Sequence, residues 1–261
     1  MAIVGGGVFA DLGLAALARH QIHPSHAILW GAGQPVKRSG HEPALVSELP
    51  YADWGLRDID HLKGPDRFLP CVSCLHPMLD VAPQSDRTLL FLNADPRVTG
   101  VAEQVELQKL AASQGWDFLL NSCTAQQFES RLAVASRVLT NSFHGAYWGW
   151  LSGREVGLVG YSSKFVSIAR AMGIDHRLVL RYEKPRKAAW ILNWLRPDSM
   201  SLSALMREMA LIDDSCTRLI DPDALRQRFR NINLKFAQRQ QESGIVGAMV
   251  PRHRASLLEA S

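Results

Sequence analysis

Val138-Leu-Thr-Asn-Ser-Phe-His-Gly-Ala-Tyr-Trp-Gly-Trp150 decides how this chain reads. Arg137 to Thr140 has the character of a short buried strand. Asn141 and Ser142 break it, and His144 with Gly145 opens an apolar helical run that ends near Gly153. A strand that ends in polar residues and turns directly into a helix is where open α/β sheets place ligands. The first helical turn carries unpaired backbone N–H groups and the positive end of the helix dipole, so it attracts anions. An imidazole placed there can exchange a proton. The stretch therefore predicts an anion site with a titratable group in it. Asn141 and Ser142 supply donors, and Gly145 leaves room for a ligand.

The same alternation extends in both directions. Downstream come a strand at Glu155 to Val159 and a helix from Ser163 to Met172, stopped by Gly173 as a C-terminal glycine should. Ser163 and Lys164 open that helix, and Lys164 adds a cation near the motif. Upstream, Thr88 to Leu92 and Asp117 to Leu120 read as strands. Val101 to Ser113 has helical spacing, with Val101, Val105, Leu107 and Leu110 leaning to one side. Thr124 to Ala135 is a helix with Thr124 and Gln127 in capping-box positions.

An earlier series begins with Ile3-Val4 running into Gly5-Gly6-Gly7, followed by a short helix from Asp11 to His20. Ala27 to Trp30 is a second strand, entering Gly31-Ala-Gly33-Gln34. Tyr51 to Leu56 is a third and delivers Arg57 and Asp58 at its end. Leu69 to Cys74 reads as a fourth. The polar, proline-containing Ala82-Pro-Gln-Ser-Asp86 marks a domain boundary. Short strands alternating with helices indicate parallel sheets with right-handed crossovers. Two series give an α/β protein of two Rossmann-like domains facing a cleft. The first domain is residues 1–84, and the second, with the histidine motif, is residues 85–185. Residues 186–261 form a helical extension, from Lys187 to Gln241, and a loosely held tail from Glu242.

Composition narrows the class. With 47% hydrophobic and 21% charged residues the chain reads as a soluble globular protein. No apolar run approaches the ~20 residues of a membrane-spanning helix. The opening lacks the basic and apolar regions of a signal peptide, and four scattered cysteines do not make a disulfide framework. A cytoplasmic setting is expected. The net charge of +4 is carried largely after residue 176, including Arg226, Arg228, Arg230, Lys235 and Arg239. Such a surface suits a nucleic acid or an anionic membrane face, or is an ordinary solvated helix face.

Other motifs carry less. Gly5 to Ala10 fits a relaxed G-x-G-x-x-A, but Trp30 stands where a dinucleotide site needs an acidic residue. Cys71-Val-Ser-Cys74 has no second ligand pair at zinc spacing and sits on an expected strand, so it reads as small buried residues. His20, His23 and His26 lack a carboxylate cluster for a metal. Asp58, Asp60 and His61 invite acid–base chemistry, although Asp58 is equally well placed as a helix cap. Arg57 at a strand's carboxyl end fits either an anion clamp or a structural salt bridge. Trp148 and Trp150 read as core packing.

Taken with Leu151-Ser-Gly-Arg-Glu-Val-Gly-Leu-Val-Gly160, Ser163-Lys164 and Met172-Gly-Ile174, the motif resembles the polysaccharide pyruvyl transferase family, whose strand ends in T-S-R-x-H-G or N-S-x-H-G. Weaker likeness covers Val4-Gly-Gly-Gly7, Ile28 to Gly33, Gly55-Leu-Arg-Asp58 (similar to the family's V-R-D/E element) and Arg226 to Phe236. The chain departs from the pattern in three places. Met1 almost abuts the first glycine turn, so beside the family the first domain looks abbreviated; Ser142 stands where many members carry arginine, and Arg154-Glu155 replaces a proline turn.

The resemblance implies a GT-B-like fold, phosphoenolpyruvate as donor, a glycan or glycan-precursor acceptor, and no metal or other cofactor. It assigns His144 as acid/base or phosphate ligand and Arg57 and Lys164 as anion clamps. Gly6, Gly7, Gly33, Asn141, Ser142, Gly145 and Ser163 complete the binding residues. Two other classes compete. One is a GT-B-like glycosyltransferase using a nucleotide sugar on a glycan or nucleic-acid hydroxyl, and the other is a non-catalytic glycan-binding or scaffold protein. Association with an anionic membrane surface through the basic helices is compatible with each.

Overall fold

Ile28, Leu29 and Trp30 form a run that a sheet buries on both faces, and Ala27–Ala32 (β2) is the central strand of a three-stranded sheet. Its neighbours are β1 (Ala2–Gly5) and β3 (Asp53–Leu56), both parallel to it, with Val4 beside Leu29 and Leu29 beside Trp54. Helix α1 (Ala10–Arg19) follows β1. The structure, a computed structural model, describes residues 1–5, 10–34, 46–182, 201–211 and 216–243. Gly6 and Gly7 lie outside the described residues, as does the tail beyond Ser243.

The second sheet contains β4 (Arg87–Leu92), β5 (Asp117–Leu120), β6 (Ala135–Thr140), β7 (Glu155–Gly160) and β8 (Leu180–Arg181). All are parallel, in the order β5-β4-β6-β7-β8. Period two sorts the side chains. Leu89 and Phe91 enter one core with α3 (Ala125–Val134), α4 (Phe143–Leu151) and α5 (Ser163–Ala171). Leu90 and Leu92 enter the opposite core with α2 (Val101–Ser113) and α6 (Leu202–Leu211). Helices thus cover both faces of a doubly wound sheet. The strand order reverses between β4 and β6, where such folds open a crevice at the strands' carboxyl ends.

Helix α7 (Pro222–Glu242) joins the two sheets. Phe229 sits in the core of the second sheet, while Phe236, two turns on, packs on Ile28 and Leu69 beside the first. Buried Asn233 lies between them and accepts a hydrogen bond from Trp30 Nε1 at 2.6 Å. Arg239 and Gln240 both donate to Asp53 Oδ2 at the head of β3. The α/β class and the parallel sheets therefore agree with the sequence reading.

Two local expectations need correction. Leu69 to Cys74 is not a strand. Pro70 offers no N–H to a ladder, and the pairing stops at one Phe68–Leu56 bridge and a Leu69 N–H to Leu56 carbonyl bond. The chain instead coils into 3-10 turns at Val72–Leu75 and Pro77–Asp80. Its apolar residues are buried because Cys71, Cys74 and Leu79 pack into the second core. On α2, Val101 and Val105 face solvent at 67% and 47% exposure, and the buried stripe is Leu107 and Ala111. Packing there occupies a narrower arc of the helix than the apolar pattern implied. Ala82 to Asp86 is exposed and irregular, and separates the two sheets along the chain.

Candidate functional site

The carboxyl ends of β3, β6 and β7 come together where the two sheets approach. β3 ends in Leu56 and delivers Arg57 and Asp58, whose side chains are buried. The Arg57 guanidinium lies over the Phe143 ring, 4.1 Å from its centre. This cation–π contact joins the first sheet to the opening turn of α4. Ser142 is the N-terminal cap of α4 and makes no side-chain cap bond, so the first-turn N–H groups stay available at the positive end of the helix. Helix α5 starts one strand over, at the end of β7, with Ser163 and Lys164 in its first turn. Two helix N-termini and two cations therefore face one region.

His144 is only partly accessible. Its Nε2 lies 3.4 Å from Cys71 Sγ, and the Trp148 ring lies 4.8 Å away, centre to centre. Burial, followed by the charges of Arg57 and Lys164, pushes its pKa down to about 3. The imidazole is neutral at ordinary pH and is ready to accept a proton once an anion offsets those cations. Lys164 Nζ donates to Tyr161 Oη at 3.2 Å, and Asn93 Nδ2 donates to the same oxygen at 2.8 Å. Burial raises the Tyr161 pKa to about 12, so the phenol remains protonated.

Asp58 is not a plain helix cap. It precedes the 3-10 turn Ile59–His61 without a side-chain cap bond, and its Oδ2 accepts from the Gln34 N–H at 2.8 Å. Burial pushes its carboxyl pKa up, opposed by Arg57, the Gln34 N–H, His61 and Lys164. Among the described residues, Asp58 Oδ1, both His61 ring nitrogens, Gln34 Oε1 and Ser163 Oγ are buried and make no hydrogen bond. A buried polar atom without a partner costs about 1–3 kcal/mol. Polar atoms left in this way are ready partners for a ligand or for ordered water.

Other predicted residues serve the scaffold. Asn141 is fully buried. Its Oδ1 accepts from the Asn93 N–H at 2.8 Å and its Nδ2 donates to Thr99 Oγ1 at 2.9 Å. It fills the crevice between β4 and β6 and holds the 93–99 loop, instead of offering donors to a ligand. Gly145 does not make room for a ligand either. A Cβ there would strike Thr140 Oγ1 and come within 2.6 Å of Phe91 Cδ1, so glycine permits α4 to lie on the sheet. The Gly33 carbonyl accepts from the Ala10 N–H at 2.9 Å and anchors the start of α1. Arg154 is fully buried and donates to the carbonyls of Ala135, Val81, Ser152 and Leu132. Trp150 is core, as expected.

Sequence reasoning passed over Gln34 and Tyr161, read Cys71 only as a small buried residue, which it is, and weighed Asp58 and His61 without choosing them. His61 is three residues past Asp58 and is the buried residue of the short turn Ile59–His61 that follows β3. Cys71 carries no local signal because its link to His144 spans 73 residues. The fold and site define an α/β protein of two parallel sheets, with Arg57, Asp58, His144 and Lys164 gathered near the strands' carboxyl ends. No protein-family profile, no curated protein and no solved structure matches the chain.

Proposed function

We propose that this protein transfers a pyruvyl group from phosphoenolpyruvate to a pair of sugar hydroxyls on a glycan or glycan precursor. The observation that carries this reading is the gathering of Arg57, over the Phe143 ring next to His144, and Lys164 about the imidazole, whose pKa is pushed down first by burial and then by both cations. A donor with one carboxylate and one phosphate needs two cationic partners, and the two helix N-termini add backbone donors.

The chemistry follows from the protonation states. Asp58, biased towards its protonated form, is the acid at hand for the enol carbon. Neutral His144 takes the proton of the first sugar hydroxyl as its oxygen bonds to C2. The C–O bond to phosphate then breaks, and His144 returns its proton to the departing phosphate. The second hydroxyl adds to the oxocarbenium centre and its proton restores Asp58. Phosphoenolpyruvate and a diol thus yield a cyclic ketal and inorganic phosphate. Arg57 and Lys164 stabilise the charge that shifts onto the phosphate.

A thermal-shift panel tests the donor. Phosphoenolpyruvate at a hundred times its dissociation constant should add about 2.7 kcal/mol of stability. Stabilisation by a UDP-, GDP- or CMP-sugar, with none by phosphoenolpyruvate, would overturn pyruvyl transfer in favour of glycosyl transfer.

A further inference from the structure

A groove of about 500 Å³ lies on another face, between the 3-10 turn Pro65–Arg67, the end of α5 and one side of α7. Arg57, Asp58, His61, His144 and Lys164 do not line it. Its walls carry Arg67, Arg170, Arg228, Lys235 and Arg239, against a single lining acid, Asp66. Three of these cations are held in place. Arg67 and Arg239 converge on Asp53 at 2.6 and 2.8 Å, and Arg170 pairs with Asp60 at 2.8 Å. Arg67 also lies over the Trp54 ring and Arg239 over the Phe236 ring. Arg228 and Lys235 are exposed and make no ion pair among the described residues. They stand seven residues apart on α7, about 10 Å along the axis, and Arg239 lies about 6 Å further on.

We propose that this groove binds an acidic oligosaccharide, a sugar chain bearing carboxylates or phosphates. A row of cations at intervals along one helix suits a chain with repeated charges better than a single small anion. The floor is apolar, through Leu225 and Ile232, and suits the C–H faces of sugar rings while the arginine forks take the acidic groups. A single-stranded nucleic acid would need open aromatic faces for stacking. Trp54 and Phe236 are buried and already covered by arginines. A bilayer surface is too flat to enter a concave groove. The proposal does not depend on the pyruvyl-transfer reading, since the two sets of residues are separate.

Fluorescence anisotropy of the full chain with a labelled oligogalacturonate tests it. A neutral galactan of equal length, a single-stranded oligonucleotide and phosphatidylglycerol vesicles serve as comparators. The oligouronate should bind, the neutral chain should not, and affinity should fall as salt rises. The double variant Arg228→Gln/Lys235→Gln should weaken oligouronate binding about tenfold, from two lost surface contacts. Its melting temperature and its thermal shift with phosphoenolpyruvate should stay those of the parent. The charge-reversed pair Arg228→Glu/Lys235→Glu should abolish binding. Absence of oligouronate binding, binding indifferent to both variants, or tighter binding of the oligonucleotide or vesicles would each overturn the proposal.

Discussion

His144 Nε2 and Cys71 Sγ lie 3.4 Å apart, and the contact fixes the imidazole between the opening turn of α4 and the chain that enters the Val72–Leu75 turn. With Trp148 tilted against the ring, the imidazole has little freedom to leave the region that Arg57 and Lys164 polarise. A base held in this way contributes most to the chemical step and less to donor affinity, which the cations supply. His144→Ala should therefore lower turnover by about 10²–10⁴. The thermal shift given by phosphoenolpyruvate should largely remain. Steady-state release of phosphate, alongside a thermal-shift titration, separates the two effects. Full turnover in the variant would remove His144 from the chemistry.

The same residue gives a pH dependence of known sign. In the unfolded chain His144 titrates near 6.5, whereas in the folded protein its pKa is about 3. Below pH 6.5 the unfolded state takes up a proton that the folded state refuses, so stability is full above that pH and drains away as pH falls towards 3. The slope is at most about 1.4 kcal/mol per pH unit. Asp58 works in the other direction. Its raised pKa adds stability at low pH that is lost as pH rises through the folded value. Urea unfolding between pH 7 and 4.5 should show a shallower acid loss in His144→Gln than in the parent. Parallel curves for the two proteins would contradict the buried, neutral imidazole.

Gly145→Ala tests why the motif contains glycine. The added methyl meets Thr140 Oγ1 and Phe91, the first of which is tied down by its own bond to the Phe91 carbonyl at 2.6 Å. Helix propensity alone would favour alanine by up to ~1 kcal/mol. Overpacking should outweigh it and leave a net loss of about 1–3 kcal/mol, visible as a lower urea midpoint with an unchanged slope. A more stable variant would return Gly145 to the role of a ligand approach point.

Most of the fold was legible because its signals are local. The Thr124–Gln127 capping box, the bounds of α2 and the left-handed Gly173 that ends α5 all follow from residues within one or two turns. Leu69 to Cys74 failed because burial by distant helices leaves the same apolar pattern as burial in a sheet. The site divides along similar lines. His144, Arg57 and Lys164 could be placed from strand ends and helix starts alone. Asn141 and Gly145 sit in that same motif, yet their partners Phe91, Asn93 and Thr99 are visible only once β4 and β6 lie side by side. A polar residue beside a site is claimed by whichever neighbour arrives first, and sequence spacing does not say which.

Asn233 offers the sharpest test of how the two sheets are held together. Its side chain is fully buried on α7, accepts from Trp30 Nε1 at 2.6 Å, and donates to the carbonyls of Pro70 at 3.2 Å and Phe229 at 3.0 Å. Asn233→Leu keeps the volume but strands the indole N–H and the Pro70 carbonyl away from water. Each such orphan costs about 1–3 kcal/mol, so a loss of about 2–4 kcal/mol is expected. Gln238→Ala, on the exposed side of the same helix, should stay within about 0.5 kcal/mol of the parent. Urea unfolding of the two variants provides the comparison. Because α7 also carries Phe229 and Phe236 into separate cores, weakening its centre should let the first sheet loosen before the second. The Asn233→Leu transition should accordingly broaden or split when followed by circular dichroism and by tryptophan fluorescence. Coincident, equally sharp transitions at the parent's midpoint would show that the two sheets are held together without this asparagine.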